Sequence, residues 1–214
     1  AWVRTRAEVS AGRNDAAIAT LRGELEPAEV PGEWRARMLA LLAMLERSAT
    51  GDLEAADATA LAALAAAEEA GDEFATAHAL TDLWLISSVR RDHVAALHHI
   101  DQALSTLGDA TAHADLRSFA LDDRIFTLQN LDKWPQAELT LRRALHVLVD
   151  RLLDSPARDG RFLCKLALVA RLAGGGSWRR TVTLREPAAE RDRLRAALGP
   201  KLAELPAPIT RLAL

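Results

Sequence analysis

The sequence has few of the residues that stabilise small secreted proteins. Only one of its 214 residues is a cysteine, Cys164, so no disulfide can form within the chain. We therefore expect a reducing, cytoplasmic compartment. Tyrosine is absent and aromatic residues make up only 4% of the chain. No apolar run is long enough to cross a bilayer and no signal peptide is visible, so we expect no membrane partner.

Residues that could form a catalytic or metal site are also scarce. His98 and His99 follow His93 by five and six residues, not by the three or four that place two ligands on one helix face. The run at 174–177, Gly-Gly-Gly-Ser, lacks the lysine of a phosphate-binding loop, and we interpret it as a turn. No nucleophile elbow is present. The sequence therefore predicts no catalytic residue, no metal site and no cofactor.

Alanine and leucine dominate the chain, and half of its residues are apolar, which favours helices and is ample for a core. The charge is unevenly distributed. Residues 1–143 contain 14 Lys and Arg against 23 Asp and Glu, whereas residues 144–214 contain 13 against 7. This asymmetry predicts two domains with different partners, one at 1–143 and one at 144–214.

An internal repeat occupies the acidic part. The strings GDLEAADATALAAL, RDHVAALHHIDQAL and DKWPQAELTLRRAL align their alanines at Ala56, Ala96 and Ala137, and a weaker copy adds Ala17. The spacings are 39, 40 and 41 residues, which predicts helical hairpins that bury their apolar faces by stacking. Each copy begins with an acidic residue suited to capping a helix. These candidate N-caps are Asp15, Asp52, Asp92 and Asp132.

These repeats resemble tetratricopeptide-type repeats, in the variant of about 40 residues found in the sensor segments of large bacterial transcription regulators. The Gly-Asp turns, the repeated alanines and the Ala-Leu pairs that follow them carry the resemblance. The Trp-Leu-Gly-Tyr set of the 34-residue signature is missing. The resemblance implies an α-solenoid that docks a protein or peptide partner, or a small effector, on a concave face.

The basic part contains two alternating segments joined by the glycine run, RFLCKLALVARLAGGGSWRRTVTLRE, which predicts a β-hairpin with two different faces. Phe162, Cys164, Leu166, Leu168, Leu172, Trp178, Val182 and Leu184 share the predicted apolar face. An amphipathic helix over 188–205 and a third strand follow, so we expect a small α+β unit in which two helices cover one face of an antiparallel sheet.

The opposite face of this predicted sheet is basic and hydroxyl-bearing. The side chains predicted there as DNA-backbone contacts are Lys165, Arg171, Arg179, Thr181, Thr183, Arg185 and Arg211. Such a surface suits phosphate groups, but a solvated sheet face would have the same pattern.

The last 70 or so residues resemble the little-finger domain of bacterial Y-family translesion DNA polymerases, in the branch that acts as an accessory factor in mutagenic repair. The pieces GGGSWRRTVTLREP, RDRLRAAL and PKLAELPAPITRL carry the resemblance. It implies a non-catalytic domain whose sheet lies along a DNA duplex and contacts its sugar-phosphate backbone. The polymerase palm, with its metal-binding carboxylates, has no counterpart, so we expect no enzyme.

The sequence thus predicts a mainly α protein in which TPR-like repeats dock a partner and a basic sheet binds DNA backbone in translesion synthesis or repair. One alternative is a sensor or interaction fragment of a transcription regulator with an incidental carboxyl-terminal tail, and another is a remnant polymerase. The chain starts at Ala1 and stops within an alternating run, ITRLAL, so we expect a fragment of a longer protein.

Overall fold

A computed structural model of the chain describes residues 2–26, 30–108, 111–206 and 208–214. They belong to two compact units, Ala1–Asp109 and Ala110–Leu214. Most of the described residues are helical, and one antiparallel sheet of three strands lies near the carboxyl end. This confirms a mainly α chain followed by a small sheet.

The first unit is built from helices that pack on their neighbours in chain order. Its elements are α1 (Trp2–Ser10), α2 (Asn14–Leu25), α3 (Gly32–Leu45) with a π-helical extension (Glu46–Thr50), α4 (Leu53–Ala70), α5 (Glu73–Val89) and α6 (His93–Leu107). Helix α3 packs against α4 and also against α5, the first helix of the next repeat. Buried side chains of α3, α4 and α5 therefore belong to one shared cluster.

The repeated alanines lie at the contacts between these helices. Ala56, Ala60 and Ala63 of α4 are fully buried, and so is Ala96 of α6. Ala43 of α3 and Ala56 and Ala60 of α4 belong to one cluster with larger side chains from α5. Small side chains at these positions let helix backbones approach closely, which is the physical reason for the repeat.

Acidic side chains cap three helices of the first unit. Asp52, Asp72 and Asp92 each accept a hydrogen bond from the backbone N–H three residues on, at 2.9, 3.1 and 2.9 Å. A carboxylate at this position satisfies an N–H that has no partner within the helix. The predictions for Asp52 and Asp92 are confirmed.

Two of the predicted caps are wrong. Helix α2 begins at Asn14, so Asp15 lies inside its first turn and the N-cap residue is Arg13. Asp132 adopts a left-handed backbone conformation, with φ of 56°, in the turn before Lys133, which is the N-cap of the next helix. In both cases the helix starts one or two residues away from the acid, so its side chain does not occupy the capping position.

The described part of the second unit contains three α-helices, two short 3-10 helices and the sheet. Its elements are α7 (Ala114–Asn130), α8 (Trp134–Asp154), β1 (Leu163–Leu172), β2 (Ser177–Ala188), α9 (Arg191–Leu202) and β3 (Ile209–Ala213). From α8 onward the order is helix, strand, strand, helix, strand, as predicted. The predicted boundary at 143/144 falls within α8, whereas the compact units divide at 109/110. The difference arises because α7 packs on β3 and α8 packs on α9.

Strand β1 is central in the sheet, whose order is β2-β1-β3. The outer edge of β3 is covered by side chains of α7. The backbone N–H of Leu212 donates to Asp122 Oδ1 at 3.1 Å, and that of Ile209 donates to Gln129 Oε1 at 3.2 Å. These two bonds satisfy backbone groups that an uncovered edge strand would leave open.

Candidate nucleic-acid interface

The pairing of the strands defines the two faces of the sheet. Leu166 pairs with Val182, and Ala170 pairs with both Trp178 and Leu212. Leu166, Ala170, Trp178 and Leu212 are buried, as is Leu168. One face therefore packs against the helices, and alternation directs the other face to solvent. The predicted division into an apolar and a basic face is confirmed for this central part of the sheet.

Two residues predicted on the apolar face are exposed. The Phe162 side chain precedes β1 and is 63% exposed, and Cys164 is an exposed free thiol. The register of β1 and β2 shifts between Leu163 and Lys165, so regular alternation begins only at Lys165. The first residues of the predicted strand therefore lie outside the regular ladder and do not reach the core.

Cations and hydroxyls line the solvent face. Lys165 pairs with Thr183, Ala167 pairs with Thr181, and Val169 pairs with Arg179. Arg171 pairs with Ser177 on one side and with Arg211 on the other. Among the strand residues with a defined register, no acidic side chain lies on this face. Arg185 follows Thr183 by two residues and extends the row into the irregular end of β2, where it is exposed.

The ion pairs of the second unit involve other side chains. Most of these ion pairs join the helices α7, α8 and α9 to each other or to the ends of the strands. They are Arg151–Asp115, Arg142–Glu138, Arg191–Asp150, Arg191–Asp154, Arg195–Asp150, Arg193–Glu186, Arg180–Glu204 and Lys201–Glu204. By contrast, within the described residues no ion pair involves Lys165, Arg171, Arg179 or Arg185.

Two neighbours in the sequence illustrate this division. The Arg180 guanidinium donates to Glu204 at 2.9 Å and lies 5.5 Å from the centre of the Trp178 ring, on the helix side. Arg179, one residue earlier, points to the solvent face. Because side chains alternate along the strand, Arg180 contacts a partner within the chain and the preceding Arg179 is exposed to solvent.

Arg211 differs from the other predicted contacts. Its guanidinium lies 4.3 Å from the centre of the Phe119 ring of α7, within the range of a cation–π interaction. Burial raises the pKa of Asp122 and of Asp123, both on α7, to about 7. The positive charge of Arg211 acts in the opposite direction on both carboxyl groups. Arg211 therefore lies at the edge of the basic face and has partners within its own unit.

The described residues contain no group of three or more His, Cys, Asp or Glu placed to hold a metal ion. His98 and His99 lie with ring centres 5.9 Å apart, and His99 Nδ1 is 3.4 Å from Ser87 Oγ. Burial and the neighbouring His98 lower the pKa of His99. None of the helices in the described ranges is both long and apolar enough to span a bilayer.

A second group of functional side chains was not anticipated from the sequence. Arg6, Arg37 and His78 lie on three different helices of the first unit and line one cavity. No local pattern joins them, because only the packing of α1, α3 and α5 brings them together. The one local signal is the placement of Phe74, His78 and Asp82 at intervals of four residues, which puts them on one face of α5.

No protein-family model matches this chain, and no curated protein matches it in sequence.

Proposed function

We propose that the solvent face of the sheet binds the sugar-phosphate backbone of DNA without sequence preference, while the helical repeats dock a protein or peptide partner. We define the basic face as Lys165, Arg171, Arg179, Thr181, Thr183 and Arg185, with Arg211 at its edge. Four of its cations have no ion pair within the described residues, while the ion pairs of the same unit join side chains of α7, α8, α9 and the strand ends. This segregation is the observation that carries the proposal.

The length of the basic face suits a row of phosphate groups along a DNA strand. Residues two apart on a strand lie roughly 6.6 Å apart, so Arg179 and Arg185 are separated by up to about 20 Å along β2. That length corresponds to roughly six nucleotide steps along one DNA strand. Thr181 and Thr183 lie between the two arginines and carry hydroxyl groups that donate to phosphate oxygens.

Repulsion within the face also favours an anionic partner. Arg171 lies directly opposite Arg211 across the β1–β3 ladder. Like charges at such positions destabilise a sheet, and a bound phosphate between them would remove that cost. The resemblance of this region to polymerase little fingers further suggests that the DNA is a duplex handled in translesion synthesis or repair. Because the side chains lie in rows along two strands, as the phosphates lie along a nucleic-acid strand, we propose contacts to the backbone only.

A gel-shift titration with a labelled duplex of about 20 base pairs tests the proposal. Reversal of two face residues, R179E with R185E, is expected to abolish the shift. The matched control, R142E with R193E, changes the charge by the same amount but removes cations that are paired with Glu138 and Glu186. Equal loss of DNA binding in both variants would show that only the net charge matters. Unchanged affinity of R179E with R185E would refute the basic face as the binding surface.

A sensor role for the repeats alone is the competing function. In that case a partner would be retained by the first unit and the full chain would not bind DNA at any salt concentration. A primer-extension assay addresses the remnant-polymerase alternative, since synthesis by this chain would contradict the proposed absence of catalysis.

A further inference from the structure

The first unit contains a cavity of about 280 Å³ between α1, α3 and α5. Val9 of α1 and Leu41 and Met44 of α3 form much of its apolar lining. Its volume is near the lower end of the range for small-molecule sites, so it suits a compact ligand or the end of a chain. The three helices are the first members of consecutive hairpins, so the cavity lies on one side of the repeat array.

Basic side chains from all three helices also line this cavity. Arg6 comes from α1, Arg37 from α3 and His78 from α5, and no carboxylate is among the described residues that line the cavity. The hydrogen bond from Arg37 to Asp72 Oδ2, 2.8 Å long, uses Nε. A guanidinium has two further nitrogens with four N–H groups, so Arg37 retains donors for another anion.

His78 adds a polar group whose hydrogen-bonding capacity is not satisfied. Its Nδ1 is buried and has no hydrogen-bond partner among the residues that the structure describes, and the carboxylate oxygen Asp82 Oδ2 lies 3.6 Å away. Burial, together with the charge of Arg6, lowers the pKa of His78, so the imidazole is neutral near pH 7. A neutral imidazole can donate or accept one further hydrogen bond without adding charge to the site.

We propose that this cavity binds a carboxylate that carries a short apolar chain, with the carboxylate at Arg6 and Arg37 and the chain against Val9, Leu41 and Met44. The two cationic side chains match one anionic group, and the apolar lining matches a hydrocarbon segment. This inference deepens the docking role given to the repeats in the proposed function, and it is independent of the basic face. Either a free carboxylic acid or the carboxyl terminus of a peptide supplies this chemistry.

Calorimetric titration of the full chain with octanoate and with octanamide tests the charge requirement. The acid is expected to bind and the amide is expected to bind at least tenfold more weakly, since hydrogen bonds to charged groups are the stronger class. Equal binding of the two compounds, or binding of neither octanoate nor the peptide described below, would overturn the proposal. Acetyl-alanyl-alanyl-leucine with a free carboxyl or as its amide then distinguishes the two sources. Tighter binding of the peptide acid identifies a chain terminus, and tighter binding of octanoate identifies a free acid.

Variants on one helix provide the matched control. Arg4 and Arg6 both belong to α1, but only Arg6 lines the cavity. R6Q is expected to weaken binding of the acid by about tenfold, while R4Q leaves it unchanged. R37Q is expected to weaken it similarly, and a circular dichroism melt shows whether loss of the Asp72 pair has unfolded that variant. Equal affinity of R6Q and R4Q would refute the site.

The two proposals fail separately in these experiments. R6Q is expected to bind duplex DNA as the unmodified chain does, because Arg6 belongs to the other unit. A chain that binds DNA but no carboxylate would contradict the cavity site alone. A chain that binds octanoate but no DNA would contradict the basic face and leave the cavity site supported.

Discussion

Salt titration offers the most quantitative test of the basic face. Four of its cations, Lys165, Arg171, Arg179 and Arg185, are free of ion pairs within the described residues, so each can neutralise one phosphate. Release of counterions then predicts a slope of about −3.6 for the logarithm of the association constant against the logarithm of the salt concentration. An increase from about 50 to about 200 mM salt should thus weaken binding by about 150-fold.

Removal of two cations reduces both quantities. In R179Q with R185Q two contacts remain, so the slope is expected to fall to about −1.8 and the same change in salt should weaken binding by only about 12-fold. The paired control, R142Q with R193Q, should keep the original slope. The effect of R211Q decides whether the edge residue contributes, because a fifth contact would add about 0.9 to the magnitude of the slope.

Fluorescence anisotropy with a labelled duplex measures these slopes directly. A duplex of scrambled sequence should give the same affinity, because backbone contacts carry no sequence information. The basic face is refuted as the binding surface if the slope of R179Q with R185Q equals that of the unmodified chain. It is also refuted if the control variant loses as much slope as the face variant.

Three further predictions concern stability. Replacement of Asp122 by alanine leaves the Leu212 N–H without its partner and should cost about 1–3 kcal/mol in a urea titration, whereas asparagine, which keeps an acceptor oxygen, should cost less. D92A removes the cap of α6 and should cost about 0.5–2 kcal/mol, whereas D92S should restore most of the loss. Burial raises the pKa of Asp82 to about 7, so the folded chain holds a proton there that the unfolded chain releases near pH 4. The free energy of unfolding should therefore fall as the pH rises from about 4 to about 7. The contribution of Asp82 to this fall is up to ~1.4 kcal/mol per pH unit. Thermal melts at several pH values should show a shallower decline in D82N, and an identical pH profile in both proteins would contradict this assignment.

The local pattern of the sequence was sufficient for much of the fold. The repeated alanines correctly indicated the contacts between helices, because only small residues fit there. Alternation correctly assigned Arg179 to the solvent face and Trp178 to the core, since side chains on a strand must alternate. The glycine run predicted the hairpin turn, where Gly175 and Gly176 have φ of 92° and 82°. A positive φ of this kind is easily adopted only by glycine.

Other features depend on tertiary contacts that no local pattern reveals. The division of the chain at 109/110 follows from the packing of α7 and α8 on the sheet and its helix, although their sequences continue the repeat. The exposure of Cys164 follows from a register shift at the start of β1. The stacking of Arg211 on Phe119 joins residues 92 positions apart. Alternation predicts the face on which Arg211 lies but not the partner it finds there.

The position of α7 beside β3 also has a consequence for self-association. Two of its side chains occupy the hydrogen-bonding positions that a strand from another molecule would need, and Pro187, which has no N–H, lies within β2 at the opposite border. Neither border thus offers a full ladder for intermolecular pairing. The sheet can present its open surface at high concentration with little tendency to grow into fibrils.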